Sequence, residues 1–136
     1  MVIDTSVLLV ILRNGPDAAR FVDAIVEDSE RVISAATLLE TSLVLAGQTG
    51  TDAVFDDLDH LVRRANMLVM PVGTSHALTA REAFLKFGKG RGHPARLNFG
   101  DCLVYACAKL MSERLLFRGG DFHHTDLILH PASIII

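Results

Sequence analysis

Short apolar runs alternate along the chain with longer segments in which apolar residues recur at helical spacing. The short runs predict strands at residues 2–3, 31–33, 67–72, 115–117 and 133–136. The longer segments predict helices at residues 6–12, 17–28, 35–46, 52–65, 75–87 and 99–112, and Ser34 and Asn98 are predicted N-caps. This alternation is typical of an α/β sandwich with a central, mostly parallel sheet, here of about five strands, flanked by helices.

The size and composition of the chain fit one domain. Its 136 residues, 50% of them hydrophobic, are enough to build a single core, and no linker or internal repeat divides residues 1–136. The longest nearly uncharged stretch, residues 32–51, contains too many Ser, Thr and Gly residues for a membrane span. The apolar run at 6–12 follows Asp4 and precedes Arg13, unlike a secretory signal, so we expect a cytoplasmic protein.

The two cysteines do not predict a disulfide or a zinc site. Cys102 and Cys107 lie five positions apart on one predicted helix and therefore point in different directions. The chain has no CxxC pair to suggest zinc ligands. We expect both thiols in the core, and any metal should be held by oxygen.

Charge is divided unevenly along the chain. Residues 1–60 hold eleven acids against three Arg, a balance of −8, whereas residues 61–136 hold ten Lys and Arg against five acids, a balance of +5. The most basic piece is residues 81–96, where Lys89, Arg91 and Arg96 lie in or beside a glycine-rich loop. This loop could attract phosphate groups, or it could be a solvated, flexible connection.

Four acidic residues occupy positions that a solvated surface does not readily explain: Asp4, Glu40, Asp101 and Asp121. Asp4 and Asp121 follow predicted strands, and folds of this class bind ligands at the carboxyl ends of their strands. Glu40 is the only charge between residues 32 and 51, and Asp101 begins a helical row whose other members are apolar. Carboxylates gathered at one edge of a sheet repel one another, and a hard divalent cation such as Mg²⁺ or Mn²⁺ is the usual remedy.

Each of these acids also has a structural interpretation. Asp4 could cap the helix that starts near Ser6, and Glu40 could be a surface residue at the edge of a polar stripe. Asp101 could stabilise the first turn of its helix through the helix dipole, and Asp121 could belong to a solvated turn. Singly, each acid leaves both interpretations open; their joint placement favours a metal site.

Four segments, "IDTSVLL", "SAATLLE", "LNFGDCLVYACAK" and "LLFRGGDFHHTDLI", stand in the order and spacing seen in PIN-domain proteins. The chain resembles the VapC-type toxins of bacterial toxin–antitoxin pairs, and the resemblance covers nearly its whole length. It implies a PIN fold, magnesium-dependent ribonuclease activity, a homodimer, and inhibition by a cognate small antitoxin.

Within this resemblance, four residues match the family's acidic quartet: Asp4, Glu40, Asp101 and Asp121. The counterparts of Asp4 and Asp101 are the direct metal ligands, and Ser6 matches a hydroxyl that supports the first acid. Gly120 departs from the pattern, because relatives often carry Asp or Asn just before the Asp-Phe pair. The side chain that could give a fifth contact to metal or water in those relatives is therefore missing at this position.

The resulting hypothesis is hydrolysis of RNA phosphodiester bonds by water. A magnesium ion held by the four acids would lower the pKa of a bound water and polarise the phosphate, and a second ion could arrive with the substrate. Glu40 or Asp121 would orient the water. Lys89, Arg91 and Arg96 would hold the RNA backbone by charge without setting a sequence preference.

Other interpretations of these residues are open. A magnesium-dependent phosphatase acting on small phosphate esters would use the same carboxylates but would not need the basic loop. A non-catalytic RNA-binding module of the same fold would not bind metal. Beside Asp121, we expect His123 and His124 at the surface and Phe122 in the core.

Overall fold

The centre of the molecule is a sheet of four short parallel strands. The computed structural model describes residues 1–136. Its central strands are β1 (Val2–Ile3), β2 (Val32–Ser34), β3 (Leu68–Met70) and β4 (Leu115–Leu116), in the order β3-β2-β1-β4. Every neighbouring pair is parallel, so the carboxyl ends of all four strands lie at one edge. The predicted parallel α/β fold is confirmed.

Six α-helices surround this sheet: α1 (Thr5–Leu12), α2 (Ala18–Glu27), α3 (Ala35–Thr49), α4 (Val54–Arg64), α5 (Thr74–Phe87) and α6 (Phe99–Met111). The two predicted N-caps are confirmed, because the Ala36 N–H donates to Ser34 Oγ at 3.1 Å and the Asp101 N–H donates to Asn98 Oδ1 at 2.9 Å. None of the helices combines the length and apolar character that crossing a bilayer requires.

The core is divided between the two faces of the sheet. Successive strand residues point to opposite faces, so Val2 packs with residues of α5 and α6, whereas Ile3 packs with residues of α1, α2 and α4. Cys102 and Cys107 are buried and free, as predicted. Phe122 is also buried, as predicted. Its ring packs against that of Phe117 in an edge-to-face arrangement, with 5.4 Å between the ring centroids. The resulting layers are helix, sheet and helix.

The last predicted strand does not join the central sheet. Residues 118–119 form β5 (Arg118–Gly119), which pairs in parallel with β6 (Ile134–Ile135) in a separate two-stranded sheet. The outer edge of β4 is already occupied, because the Leu115 N–H donates to Ile128 O and the His130 N–H donates to Leu115 O. The C-terminal strand β6 therefore pairs with β5, the segment that follows β4, and β5 leads directly to Asp121.

Candidate functional site

The four acids singled out in the sequence come from four different elements and meet at the carboxyl edge of the sheet. Asp4 follows β1, Glu40 lies in the second turn of α3 directly after β2, Asp101 is in the first turn of α6, and Asp121 follows β5. Their proximity affects the pKa of Asp101. Burial is the main cause that raises the pKa of its carboxyl to about 7, and three negative charges raise it as well, those of Asp4, Asp121 and Glu40.

Asp4 is both a helix cap and a buried acid. Its side chain is 7% exposed, and its Oδ2 accepts hydrogen bonds from the Ser6 N–H at 3.0 Å and the Ser6 hydroxyl at 2.5 Å. Burial raises the pKa of Asp4, the bonds from Ser6 oppose that increase, and the charge of Glu40 adds to it. The predicted N-cap role is present, and it leaves the second oxygen, Oδ1, without a protein donor.

Ser6 connects Asp4 to the strand that leads to the last acid. Its hydroxyl donates to Asp4 and accepts a hydrogen bond from the Arg118 N–H in β5 at 3.0 Å. The Arg118 side chain in turn donates to Asp17 Oδ2 at 3.0 Å, which fixes β5 against the loop before α2. Ser6 therefore joins the beginning of α1 to β5.

Glu40 has two contacts that the sequence does not reveal. The Thr5 hydroxyl donates to Glu40 Oε2 at 2.7 Å. On its other side the carboxylate lies directly over Gly100, where a Cβ would stand 2.9 Å from Oε1 and 3.1 Å from Oε2. The only sequence signal for these two contacts was adjacency to a candidate acid: Thr5 follows Asp4, and Gly100 precedes Asp101.

Asp101 is fixed by a reciprocal pair of hydrogen bonds at the start of α6. Its Oδ2 accepts from the Asn98 N–H at 3.0 Å while its own N–H donates to Asn98 Oδ1 at 2.9 Å. This arrangement is a capping box, so the predicted role in stabilising the helix start is real. The row that continues from Asp101 is buried as predicted, at Val104, Tyr105 and Ala108.

Asp121 precedes a short 3-10 helix, Phe122–His124, and its side chain makes no capping hydrogen bond. Gly120, where the family pattern has Asp or Asn, is closely packed, because a Cβ there would lie 3.2 Å from Ile136 O. Of the two neighbouring histidines, His124 is exposed as predicted. His123 is only partly exposed, and its Nδ1 is buried without a hydrogen-bond partner.

The donor chemistry of the site fits a hard cation. Asp4, Glu40 and Asp101 each use one carboxylate oxygen for a protein hydrogen bond and keep the other free of protein donors. Carboxylate oxygens are the ligands that Mg²⁺ prefers. No three His, Cys, Asp or Glu side chains stand close enough to form a ready-made metal cage.

The basic loop adjoins this site, because it leads into α6. Lys89, Arg91 and Arg96 are exposed, and none of them forms a salt bridge within the chain. The loop is tied at its ends, where the Lys89 N–H donates to Leu97 O and the Leu97 N–H donates to Phe87 O, both at 2.9 Å. Three exposed basic side chains therefore belong to a hydrogen-bonded loop that leads into the helix of Asp101.

Comparison with known proteins gives consistent matches. The family model for the PIN domain matches residues 1–127. Ribonuclease VapC28 of Mycobacterium tuberculosis is 46% identical over 127 residues, which cover 93% of this chain and 95% of that protein. Ribonuclease VapC of Mycolicibacterium smegmatis is 42% identical over 127 residues, 93% of this chain and 97% of that protein. A solved toxin-antitoxin complex from Klebsiella pneumoniae has the same fold, with a TM-score of 0.72 and 17% identity over 98% of each chain.

Proposed function

This chain belongs to the PIN-domain family, as its sequence motifs predicted, and we propose that it is a VapC-type ribonuclease toxin whose hydrolysis of RNA depends on Mg²⁺ or Mn²⁺. The observation that carries the metal assignment is the convergence of four acids at the carboxyl edge of the sheet, three of which keep a carboxylate oxygen free of protein donors. Such a concentration of negative charge at a sheet edge is stabilised by a divalent cation. An RNA substrate is consistent with the cytoplasmic location that we propose for the protein.

The four acids divide the work between binding the cation and orienting water. Asp4 and Asp101 are the proposed direct ligands, because each is fixed by hydrogen bonds at a helix start and keeps a free oxygen. Glu40 and Asp121 complete the proposed ligand set, and one of these two also orients the attacking water. When bound, the cation would lower the pKa of a water molecule and neutralise negative charge on the scissile phosphate.

The nearby hydroxyls support the acids and are not nucleophiles. The Ser6 hydroxyl donates to Asp4 and accepts from the Arg118 N–H, so both its proton and a lone pair are used. The Thr5 hydroxyl donates to Glu40. We assign both hydroxyls to positioning the acids, and the nucleophile in this proposal is water.

The RNA backbone is proposed to lie along the basic loop. Lys89, Arg91 and Arg96 are exposed and unpaired within the chain, and the loop continues directly into the helix that carries Asp101. Exposed cations of this kind bind phosphates and set no sequence preference. The phosphate path would therefore run from the loop to the acids.

Protein partners are part of the same proposal. Large apolar side chains are exposed on α3, α5 and the start of α6: Leu39, Leu43, Leu78, Phe84, Leu85 and Phe99. Exposed apolar surfaces of this kind commonly mark protein interfaces, which supports a homodimer and a cognate antitoxin. The cluster of acids favours an antitoxin that places an Arg side chain in the site.

The deciding experiment compares RNA with a small phosphate ester as substrate. The parent protein should cleave an RNA pool in Mg²⁺ or Mn²⁺, lose activity in EDTA, and leave the small ester intact. Asp4→Asn and Asp101→Asn should abolish cleavage while circular dichroism shows a folded protein. Parental activity in either variant contradicts the metal site, hydrolysis of the ester alone favours a phosphatase, and absence of Mn²⁺ binding favours a non-catalytic module.

A further inference from the structure

Thr5 stands next to Asp4 in the chain, but its hydroxyl serves a different acid. The side chain is 7% exposed, and its Oγ1 donates to Glu40 Oε2 at 2.7 Å across 35 residues of sequence. A hydrogen bond to an ionised carboxylate is stronger than one between neutral groups. Thr5 therefore restricts where the Glu40 carboxylate can lie.

Gly100 restricts the same carboxylate from the opposite side. The Glu40 side chain occupies the space of the missing Cβ, which would stand 2.9 Å from Oε1, 3.1 Å from Oε2 and 3.2 Å from Cδ. Gly100 lies in the first turn of α6, where the helix dipole favours a negative charge. The carboxylate thus rests on the first turn of the helix that carries Asp101.

The backbone of Gly100 does not explain why the residue is glycine. Its φ is not among the positive values found in the chain, so any residue could adopt its conformation. Glycine inside a helix costs about 0.5–1 kcal/mol relative to alanine. What distinguishes Gly100 is the space that Glu40 fills.

We propose that Thr5 and Gly100 are positioning residues which together hold the Glu40 carboxylate beside Asp101. Thr5 does so by donating a hydrogen bond, and Gly100 does so by leaving room. In this proposal both residues act through Glu40, which is the side chain that each of them contacts. This inference rests on the proposed metal-dependent function, and its test includes metal binding as well as cleavage.

The first variants address the hydrogen bond. Thr5→Val keeps the shape of the side chain and removes the hydroxyl. We expect Mn²⁺ affinity, measured by electron paramagnetic resonance on the full chain, to fall roughly tenfold or more, the usual effect of losing a residue that orients a metal ligand. The value of kcat should fall with it while KM for RNA changes little, and Thr5→Ser should recover most of the loss.

The second variant addresses the space. Gly100→Ala places a methyl group against the end of a flexible side chain, so Glu40 should move while the backbone stays in place. We expect the same fall in Mn²⁺ affinity and in kcat. Gly47→Ala is the matched control, because Gly47 also lies inside a helix, α3, and a Cβ there meets nothing within 4 Å. That control should retain parental metal affinity and cleavage.

A double-mutant cycle separates positioning of Glu40 from other effects. In a Glu40→Ala background, Thr5→Val and Gly100→Ala should cause little further loss, because their common target is gone. Full additivity there overturns the inference. Parental Mn²⁺ affinity and kcat in both Thr5→Val and Gly100→Ala also overturn it, and leave the proposed function standing if Glu40→Ala is impaired. If Glu40→Ala itself binds Mn²⁺ and cleaves RNA like the parent, both the inference and the assignment of Glu40 to the site are wrong.

Discussion

The Ser6 hydroxyl lies 3.0 Å from the backbone nitrogen of Arg118, and this bond joins the helix that follows the first acid to the strand that leads to the last one. The same hydroxyl donates to Asp4 Oδ2 at 2.5 Å. One side chain therefore sets the distance between two parts of the site that are 112 residues apart in the chain.

Replacing Ser6 should affect both stability and metal binding. Ser6→Ala leaves the partly buried Arg118 N–H without its acceptor and removes a donor from Asp4. An unsatisfied buried group costs about 1–3 kcal/mol, so urea denaturation should show a loss at the low end of this range, and Mn²⁺ affinity should also fall. Ser42→Ala, which removes a hydroxyl bonded only to Leu38 O within its own helix, is the control and should leave Mn²⁺ affinity unchanged. Parental Mn²⁺ affinity in Ser6→Ala would refute the link between this bond and the site.

The crowding of carboxylates predicts that Asp101→Asn stabilises the metal-free protein. Close charge pairs in a partly buried site repel by about 1 kcal/mol or more, and Asn retains an oxygen that can accept from the Asn98 N–H. In EDTA near neutral pH, the variant should melt at a higher temperature than the parent. In Mg²⁺ the order should reverse, because the cation stabilises the folded parent by mass action and the variant has lost a ligand.

Asp56→Asn is the control for that comparison. Asp56 lies in the first turn of α4 and is exposed, so it has the favourable helix position at a surface where solvent screens the charges of its neighbours Asp57 and Asp59. Its replacement should lower the melting temperature slightly in both conditions. An Asp101→Asn variant that behaves in the same way, less stable with and without metal, would refute the crowded cluster.

The raised pKa of Asp101 predicts how the stability of the metal-free protein depends on pH. The carboxyl has a pKa of about 7 in the folded chain against an ordinary value of 3.8, so the folded state binds more protons between these values. Its contribution to the free energy of unfolding is fully present below pH 3.8 and is lost as pH rises through about 7. Asp4, whose pKa is also raised, acts in the same direction. Denaturation in EDTA from pH 5 to 8 should therefore show falling stability.

The contribution of Asp101 can be isolated by difference. His130, whose pKa is lowered mainly by burial, makes stability rise with pH below about 6.5 and so acts in the opposite direction. The difference between the parent and Asp101→Asn removes this common contribution. That difference should grow in favour of the variant as pH increases from 5 to 8, and a constant difference would contradict the raised pKa.

The basic loop should affect RNA binding without affecting the metal. Replacing Lys89 and Arg91 together with Ala should weaken binding and reduce the salt slope by roughly 0.7 for each lost contact to a single strand. Mn²⁺ affinity should not change. Arg63 and Arg64 provide the control pair, because they end α4 before β3 begins and so lie toward the amino edge of the sheet, away from the acids. An unchanged slope after replacement of Lys89 and Arg91 would mean that the loop is only a solvated connection.

The sequence was informative where one residue and its neighbours carry the signal. Asp4 and Asp101 are recognisable because each is an acid in apolar surroundings, and Ser34 and Asn98 are recognisable because capping is a local hydrogen bond. The alternation of short and long apolar segments predicted the parallel sheet for the same reason. Local patterns also explain why the helix boundaries differ from prediction by only a few residues.

The remaining features depend on contacts between distant parts of the chain. Thr5 and Gly100 act on Glu40, and neither pairing can be deduced from spacing along the sequence. Residues 133–136 were predicted to join the central sheet, but the edge of β4 was already bonded to residues 128–130. Several segments compete to pair with the open edge of a strand. The apolar character of one segment does not reveal which segment pairs there.

The position of β1 has a consequence for when the protein can become active during its synthesis. β1 precedes the other strands in the chain and becomes an inner strand, with β2 on one side and β4, Leu115–Leu116, on the other. Its second edge stays open until β4 has been translated, and Asp121 follows later still. Non-local pairing of this kind slows folding. The four acids can therefore come together only after Asp121, which lies 117 residues beyond Asp4, has been synthesised.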